Sequence, residues 1–183
     1  MEGNLVSVYG SLGSGAGQFS GPQGLAVGGD GRVYVADQGN NRLVVLSFDG
    51  RDFAYLDGFE AGLSAPTGLA VDAAGHIVVA DTGNNRIVVL DPSGNLLAEF
   101  TEPNDGYTGP LSAPCGVAVD PNGDIVVADT GNQRVVTVRG ALSRYRIWLP
   151  LVKGGSSATS LAQLLRAAGI RTSGTRTHPG RTM

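Results

Sequence analysis

Residues 24–46 read GLAVGGDGRVYVADQGNNRLVVL, and this 23-residue block occurs twice more in the chain. The copy at 68–90 is GLAVDAAGHIVVADTGNNRIVVL, and the copy at 116–138 is GVAVDPNGDIVVADTGNQRVVTV. Eleven of the 23 columns are identical in all three copies, and corresponding residues lie 44 and then 48 positions apart. That spacing is typical of a propeller blade rather than of a helical repeat. Because one small sheet cannot bury both of its faces alone, the repeat predicts a stack of sheets.

Turn residues divide each copy into short strands. In the first copy, GLAV, RVYVAD, RLVVLSF and the following DFAYL have the composition of strands. The first turn contains Gly31, Gly75 or Gly123, where positive φ allows a tight hairpin. The strand at 77–81, IVVAD, is almost continuously apolar. This predicts that neighbouring sheets cover both of its faces.

The second turn of each copy has the pattern Asp-x-Gly-Asn-x-Arg. We expect its aspartate to accept backbone N–H groups within the turn and its glycine to supply positive φ. The turn residues with this expected structural role are Asp37, Asp81, Asp129, Gly39, Gly83, Gly131, Asn40, Asn84 and Asn132. The arginine is expected to pair with an aspartate along the blade edge. Ligand contact at the rim is the alternative for the three arginines, Arg42, Arg86 and Arg134.

The longer pattern P-x-G-[LV]-A-V … G-x-[VI]-x-V-A-D-x-G-N-x-R-[LIV] resembles the NHL repeat. Three copies cover about residues 18–149, and QFSGP at 18–22 leads into the first. The resemblance implies an all-β fold, a partial β-propeller of three four-stranded antiparallel blades around a central axis. It also implies binding of a ligand or partner on one rim. Departures from the pattern are small: Gly28 and Gly29 replace an acidic residue, and Thr137–Arg139 makes one strand more polar.

The repeat also sets the expected domain boundaries. The expected segments are an N-terminal strand and connection at 1–17, blade 1 at 18–61, blade 2 at 62–105, blade 3 at 106–152 and a basic tail at 153–183. Leu5–Tyr9 would be the outer strand of a preceding blade, and 144–149 the outer strand of blade 3. In the tail, 159–168 has the pattern of a short helix. The remaining tail residues have the composition of a disordered segment.

Three blades are too few for a closed ring, because propellers have about four to eight. The family resemblance implies six, so one chain would form an open arc with two apolar end faces. Three arrangements would cover these faces. Two chains could form a homodimer that closes a six-bladed ring, the chain could be a piece of a longer propeller, or the tail could pack against an end face.

The candidate ligand contacts are residues that differ between the three copies although the residues on either side of them are identical. In an antiparallel blade, the second turn and the connection from the preceding blade lie on the same rim. The residue between the proline and the glycine of the first strand is Gln23, Thr67 or Cys115, and it differs in every copy. Because the first strand is nearest the axis, these side chains are predicted to surround the channel mouth, either binding a ligand or packing there.

The body of the chain is acidic, and the chain has a single cysteine. Residues 1–152 hold eight Lys and Arg against 16 Asp and Glu, whereas 153–183 hold five basic and no acidic residues. The acidic body argues against nucleic acid as a partner, since phosphate binding needs clustered cations. The single cysteine, Cys115, cannot form an intrachain disulfide.

The sequence carries no pattern for membrane insertion or export. No apolar run is long enough to span a bilayer. The opening residues MEGNLVSVYG have neither the basic nor the apolar region of a secretory signal, so a cytoplasmic location is the default expectation. Export as part of a longer parent protein is the alternative.

No catalytic, metal or cofactor site is expected from the residue pattern. The chain has two histidines, His76 in a first turn and His178 in the tail, and neither is placed to activate Cys115. Propeller lyases that resemble this family use several rim histidines around zinc, and this set is missing. Calcium binding of the lactonase type would need axial acidic residues, and Glu60, Glu102 and Asp105 show no ligand spacing.

Three functions therefore remain. The first is a non-enzymatic scaffold that binds a protein, peptide or sugar-like ligand on one rim. The second is a lyase or lactonase-like hydrolase whose catalytic ligands lie in further blades. The third is an RNA-binding NHL module, which the acidic body disfavours.

Overall fold

The computed structural model describes residues 4–103 and 109–142, which all lie in one unit of the chain, Met1–Ile147. Its strands are β1 (Ser11–Leu12), β2 (Gln18–Phe19), β3 (Pro22–Val27), β4 (Val33–Asp37), β5 (Arg42–Phe48), β6 (Phe53–Phe59), β7 (Pro66–Val71), β8 (Ile77–Asp81), β9 (Arg86–Leu90), β10 (Leu96–Phe100), β11 (Pro114–Val119), β12 (Ile125–Asp129) and β13 (Arg134–Val138). Single-turn 3-10 helices occupy Gln38–Asn40, Thr82–Asn84 and Thr130–Asn132.

Consecutive strands pair antiparallel into one blade per repeat. Blade 1 is the sheet β3-β4-β5-β6, and blade 2 is β7-β8-β9-β10. Blade 3 contains β11-β12-β13 within the described residues. These sheets confirm the predicted all-β fold with four-stranded antiparallel blades. The predicted strand at 144–149, the helix at 159–168 and the rest of the tail lie outside the described residues.

The N-terminal segment differs from its prediction. Leu5–Tyr9 belong to no strand, and β1 pairs in parallel with β2 instead. An outer strand needs an inner neighbour from a preceding blade, and the described part of the chain places none beside these residues. Tyr9 packs near Phe53, with ring centroids 6.2 Å apart.

Among the described residues, no helix is long and apolar enough to cross a membrane.

The first turn of every blade has the predicted backbone. Gly31, Gly75 and Gly123 have φ of +80°, +86° and +84°, a region in which a side chain is strained. These glycines join the first and second strands of each blade by tight hairpins.

Two hydrophobic cores fill the spaces on either side of blade 2. One joins blades 1 and 2 through Tyr34, Leu43, Ile77, Val79 and Val88, among others. The other joins the opposite face of blade 2 to blade 3, and it includes Val78, Ile87, Val89, Ile125 and Val127. All five residues of β8 are buried, as the apolar run at 77–81 predicts.

Exposure at equivalent repeat positions depends on whether a neighbouring blade is present. Leu43 and Ile87 are both 0% exposed, whereas Val135, at the same position of blade 3, is 73% exposed. On the opposite side of the arc, Leu25 of blade 1 is 65% exposed, while its counterpart Leu69 in blade 2 is 8% exposed. The residue type hardly changes, but Leu43, Ile87 and Leu69 face a neighbouring blade, whereas Val135 and Leu25 face none among the described residues. The arc therefore ends in two partly uncovered apolar sheet faces.

Candidate functional site

The three variable rim residues lie next to one another on the innermost strands. A methyl group on Gly24 would overlap the carbonyl oxygen of Thr67, and one on Gly68 would overlap that of Cys115. The Thr67 hydroxyl also lies 3.0 Å from the Cys115 carbonyl oxygen. The first strands of successive blades thus approach through glycine, which brings Gln23, Thr67 and Cys115 into one row.

A break in the strand register frames each of these residues. The pairing of the first and second strands shifts between Pro22 and Leu25 in blade 1 and between Pro66 and Leu69 in blade 2. In blade 3 the shift lies between Pro114 and Gly116, on either side of Cys115. Register breaks of this kind redirect side chains and are common beside functional sites. Gln23 and Cys115 are exposed, and Thr67 is half-buried.

Hydroxyl groups from the second turns complete the row. Thr82 Oγ1 lies 2.7 Å from Thr67 Oγ1 and donates to the Pro114 carbonyl oxygen at 2.7 Å. Thr130 Oγ1 donates to Cys115 Sγ at 3.0 Å. Sequence reasoning missed these two threonines, although position x of Asp-x-Gly-Asn also differs between copies, with Gln38 in the first. The row is therefore built from neutral amide, hydroxyl and thiol groups.

Each second turn is tied to the connection that enters its own blade, in a cluster of Asp, Asn and Arg. In blade 2, Asp81 is fully buried and accepts the backbone N–H of Ser64 at 2.7 Å. Its other oxygen accepts from Asn84 Nδ2 at 2.9 Å and from Arg86 Nε at 2.6 Å. The same contacts recur in blades 1 and 3, where the corresponding residues are Asp37, Ser20, Asn40 and Arg42, and Asp129, Ser112, Asn132 and Arg134.

Two details of the predicted turn need correction. The aspartate accepts its backbone N–H from the connection 17 residues earlier, rather than from its own turn. Positive φ falls on Asn41, Asn85 and Gln133, at +54°, +52° and +52°, and not on the turn glycine. Gly83 is needed for a different reason, because a Cβ there would lie 2.5 Å from Ser64 Oγ. Gly39 and Gly131 meet Ser20 and Ser112 in the same way.

The three arginines, predicted either as pairing residues or as ligand contacts, bridge the turn to the connection. Arg42 reaches the carbonyl oxygens of Ser14, Gly15 and Gln18 as well as Asp37. In blade 2, Arg86 also pairs with Glu99. In blade 3, Arg134 donates to the carbonyl oxygens of Gly109 and Pro110 in addition to Asp129. Their charge is thus balanced within the blades.

The charge state of Asp129 follows from its donors. Burial works to raise the pKa of this carboxyl group, but hydrogen bonds from Asn132, the Ser112 backbone and Arg134 outweigh it. The net effect is a pKa below the ordinary value of 3.8, so the group stays ionised in the folded protein.

The opposite rim carries the first turns of the blades, and His76 lies in the first turn of blade 2. His76 is buried, and its Nδ1 lies 2.8 Å from Asp72 Oδ2. A cleft of about 330 Å³ opens on this side between blades 1 and 2, and its lining includes Arg32, Asp57 and Pro92. Within residues 4–103 and 109–142, no three His, Cys, Asp or Glu side chains come together as a metal site.

Antiparallel blades that stack side by side with their first strands together define the chain as part of a β-propeller. The sequence profile of the NHL repeat matches residues 19–46, 63–96 and 111–137, one match in each blade. The three blades are NHL repeats. No curated protein matches the chain in sequence.

Solved structures with the same fold are longer than this chain. A streptogramin B lyase is 26% identical with a TM-score of 0.50, and the match covers 65% of this chain and 37% of the lyase. A putative gluconolactonase is 22% identical with a TM-score of 0.52, covering 63% and 37%. A catalytically inactive virginiamycin B lyase from Staphylococcus aureus, solved with quinupristin, is 16% identical with a TM-score of 0.50, covering 66% and 38%. The matched part of this chain thus spans less than two fifths of each of these proteins.

Proposed function

We propose that this chain is a non-enzymatic scaffold whose NHL blades bind a protein, a peptide or a sugar-like ligand on the rim that carries Gln23, Thr67 and Cys115. The observation that supports this most strongly is the contrast within each repeat. The Asp, Asn and Arg of every blade recur with the same contacts, whereas the exposed or half-buried residue at the register break changes from blade to blade. A constant frame around a varying contact residue suits a binding surface.

The chemistry of the row favours a neutral ligand. Its polar atoms are the amide of Gln23, the hydroxyl groups of Thr67, Thr82 and Thr130, and the thiol of Cys115. The neighbouring aspartates and arginines are paired with each other. Groups of this kind exchange hydrogen bonds with peptide amides or sugar hydroxyls, while a phosphate backbone needs cations that are not already paired. RNA is therefore the weakest of the three candidates.

A lyase or hydrolase remains the second candidate. The streptogramin B lyase is 26% identical to this chain over the matched region, and it is longer. If this chain has the same kind of activity, its catalytic ligands must come from blades outside the described residues. Stoichiometric zinc or calcium in the purified protein, measured by elemental analysis, would favour this candidate over the scaffold.

Bulky substitutions test the position of the binding surface. We expect Gln23→Trp and Cys115→Trp to weaken binding of a peptide or oligosaccharide selected on the wild-type chain by about tenfold or more, because each fills space in the row. Both residues are exposed, so the midpoint of thermal unfolding should hardly change. Binding is measured by titration calorimetry.

Ala73→Trp is the matched control. Ala73 is exposed and lies in the first turn of blade 2, at the opposite rim. It should leave the affinity unchanged. If Ala73→Trp abolished binding while the two rim variants retained it, the surface would have been placed on the wrong rim.

A further inference from the structure

Both ends of the arc leave uncovered part of a sheet face that is covered inside the chain. On the back face of blade 1 the first strand is exposed, while Val44 and Leu46 of β5 are buried. We call the side of a blade that points to the next blade in sequence its front face, and the other side its back face. The free front face belongs to blade 3 and the free back face to blade 1. The exposed residues include Val135 on the first and Leu25 and Val27 on the second.

The internal junctions show what fits against these faces. Gly24 of blade 1 packs against the Thr67 carbonyl of blade 2, and Gly68 packs against the Cys115 carbonyl of blade 3. Gly116 holds the same position on the free front face. Among the described residues, the atom nearest to a methyl group there is Ala128 Cβ at 3.4 Å, an ordinary contact, and its φ lies outside the left-handed region. Neither space nor conformation within the described residues accounts for this glycine.

Polar contacts repeat across the internal junctions in the same way. Asn41 Oδ1 of blade 1 accepts the backbone N–H of Ala65 at 2.8 Å, and Asn85 Oδ1 of blade 2 accepts that of Ala113 at 2.7 Å. On the free front face the corresponding residue is Gln133, which has the same left-handed backbone. The matching residue on the free back face is Gly21, and its φ of +61° lies near the +43° of Ala65 and Ala113.

We propose that a second copy of this chain covers both faces. The front face of blade 3 in each copy packs on the back face of blade 1 in the other, so that Gly116 meets the carbonyl oxygen of the partner's Gln23 as Gly68 meets that of Cys115. Closed propellers have about four to eight blades, and the three blades of the described residues, taken from two copies, supply six. Two copies therefore make a ring of six blades. The two copies are related by a two-fold axis that coincides with the central axis of the ring. Both free faces are then covered, and no open end is left.

This inference does not depend on the proposed rim function, and sedimentation velocity of the full chain tests it. The expected mass is twice the 18.7 kDa of one chain.

Gly116→Ala should raise the dissociation constant of the dimer by about tenfold or more. Its effect on the unfolding midpoint of a single copy should be small, since the nearest neighbour is 3.4 Å away. Val135→Asp, with a carboxylate that stays hydrated in the single copy, should abolish the dimer.

Gly68→Ala is the matched control at the same repeat position. Its methyl group would overlap the Cys115 carbonyl within one chain, so it should lower the unfolding midpoint of the single copy. A wild-type chain that sediments as a single copy at all concentrations would overturn the proposal. So would a dimer that Gly116→Ala and Val135→Asp leave intact.

Discussion

Replacing Ile87 by alanine is expected to lower the free energy of unfolding by about 4 kcal/mol, near the upper end for truncating a buried aliphatic side chain. Ile87 is fully buried in the core between blades 2 and 3, where it packs in a cluster with Val127 and Leu142. A cavity there has little room to collapse, because strands on both sides hold the two sheets apart. Urea denaturation followed by circular dichroism measures the loss.

Truncation to alanine at Val135, the equivalent position of blade 3, is the control. Val135→Ala should change the free energy of unfolding of the single copy by less than about 0.5 kcal/mol, because the side chain is 73% exposed. Ile87→Ala removes only one carbon more than Val135→Ala. The surroundings differ far more, because Ile87 is fully buried and Val135 is mostly exposed. Equal losses at the two positions would mean that blade 3 is covered within its own chain.

The second large effect is expected at Asp129. Asp129→Asn should cost about 3 kcal/mol at neutral pH, because the new amide would present its own N–H groups to Asn132 Nδ2 and Arg134 Nε. The wild-type carboxyl group has a pKa below 3.8 in the folded protein. Its stabilising effect is therefore fully present above about pH 3.8 and is lost as the pH falls through the folded pKa. The difference between wild type and variant should shrink in that range.

Asp57→Asn provides the comparison, since Asp57 is exposed on β6. It should leave the free energy of unfolding within about 0.5 kcal/mol of wild type. Urea titrations at neutral pH and below pH 3.8 measure all three proteins. A difference between wild type and Asp129→Asn that grew towards acid pH would contradict an ionised, hydrogen-bonded carboxylate.

The architecture could be predicted from the sequence because several independent features of the repeat indicate the same fold. Period, hairpin glycines and the apolar run at 77–81 each indicate the same stacked blades, and β8 is buried on both faces. Repetition also made the scaffold residues recognisable, since a residue that holds every blade together must recur in every blade. Asp81 is one example, buried and bonded in the same way as its two counterparts.

Backbone detail in the second turn could not be predicted in the same way. A pattern of residue types does not show whether glycine serves conformation or close approach. At Gly83 the reason is the nearby Ser64, which lies 19 positions earlier in the sequence, and the left-handed residue is Asn85. Thr82 escaped prediction because its contact to Pro114 spans two blades. Contacts between blades join residues that are far apart in the sequence, so they cannot be predicted from composition or periodicity.

In the single copy, the front face of blade 3 is uncovered, and Val135 on that face is 73% exposed. Thiol labelling measures this directly in chains with Cys115→Ser and one new cysteine, either Ile87→Cys or Val135→Cys. On protein that sediments as a single copy, the thiol at position 135 should react rapidly, while the one at position 87 should react only as fast as the protein unfolds. Equally slow reaction at both positions would contradict the open arc.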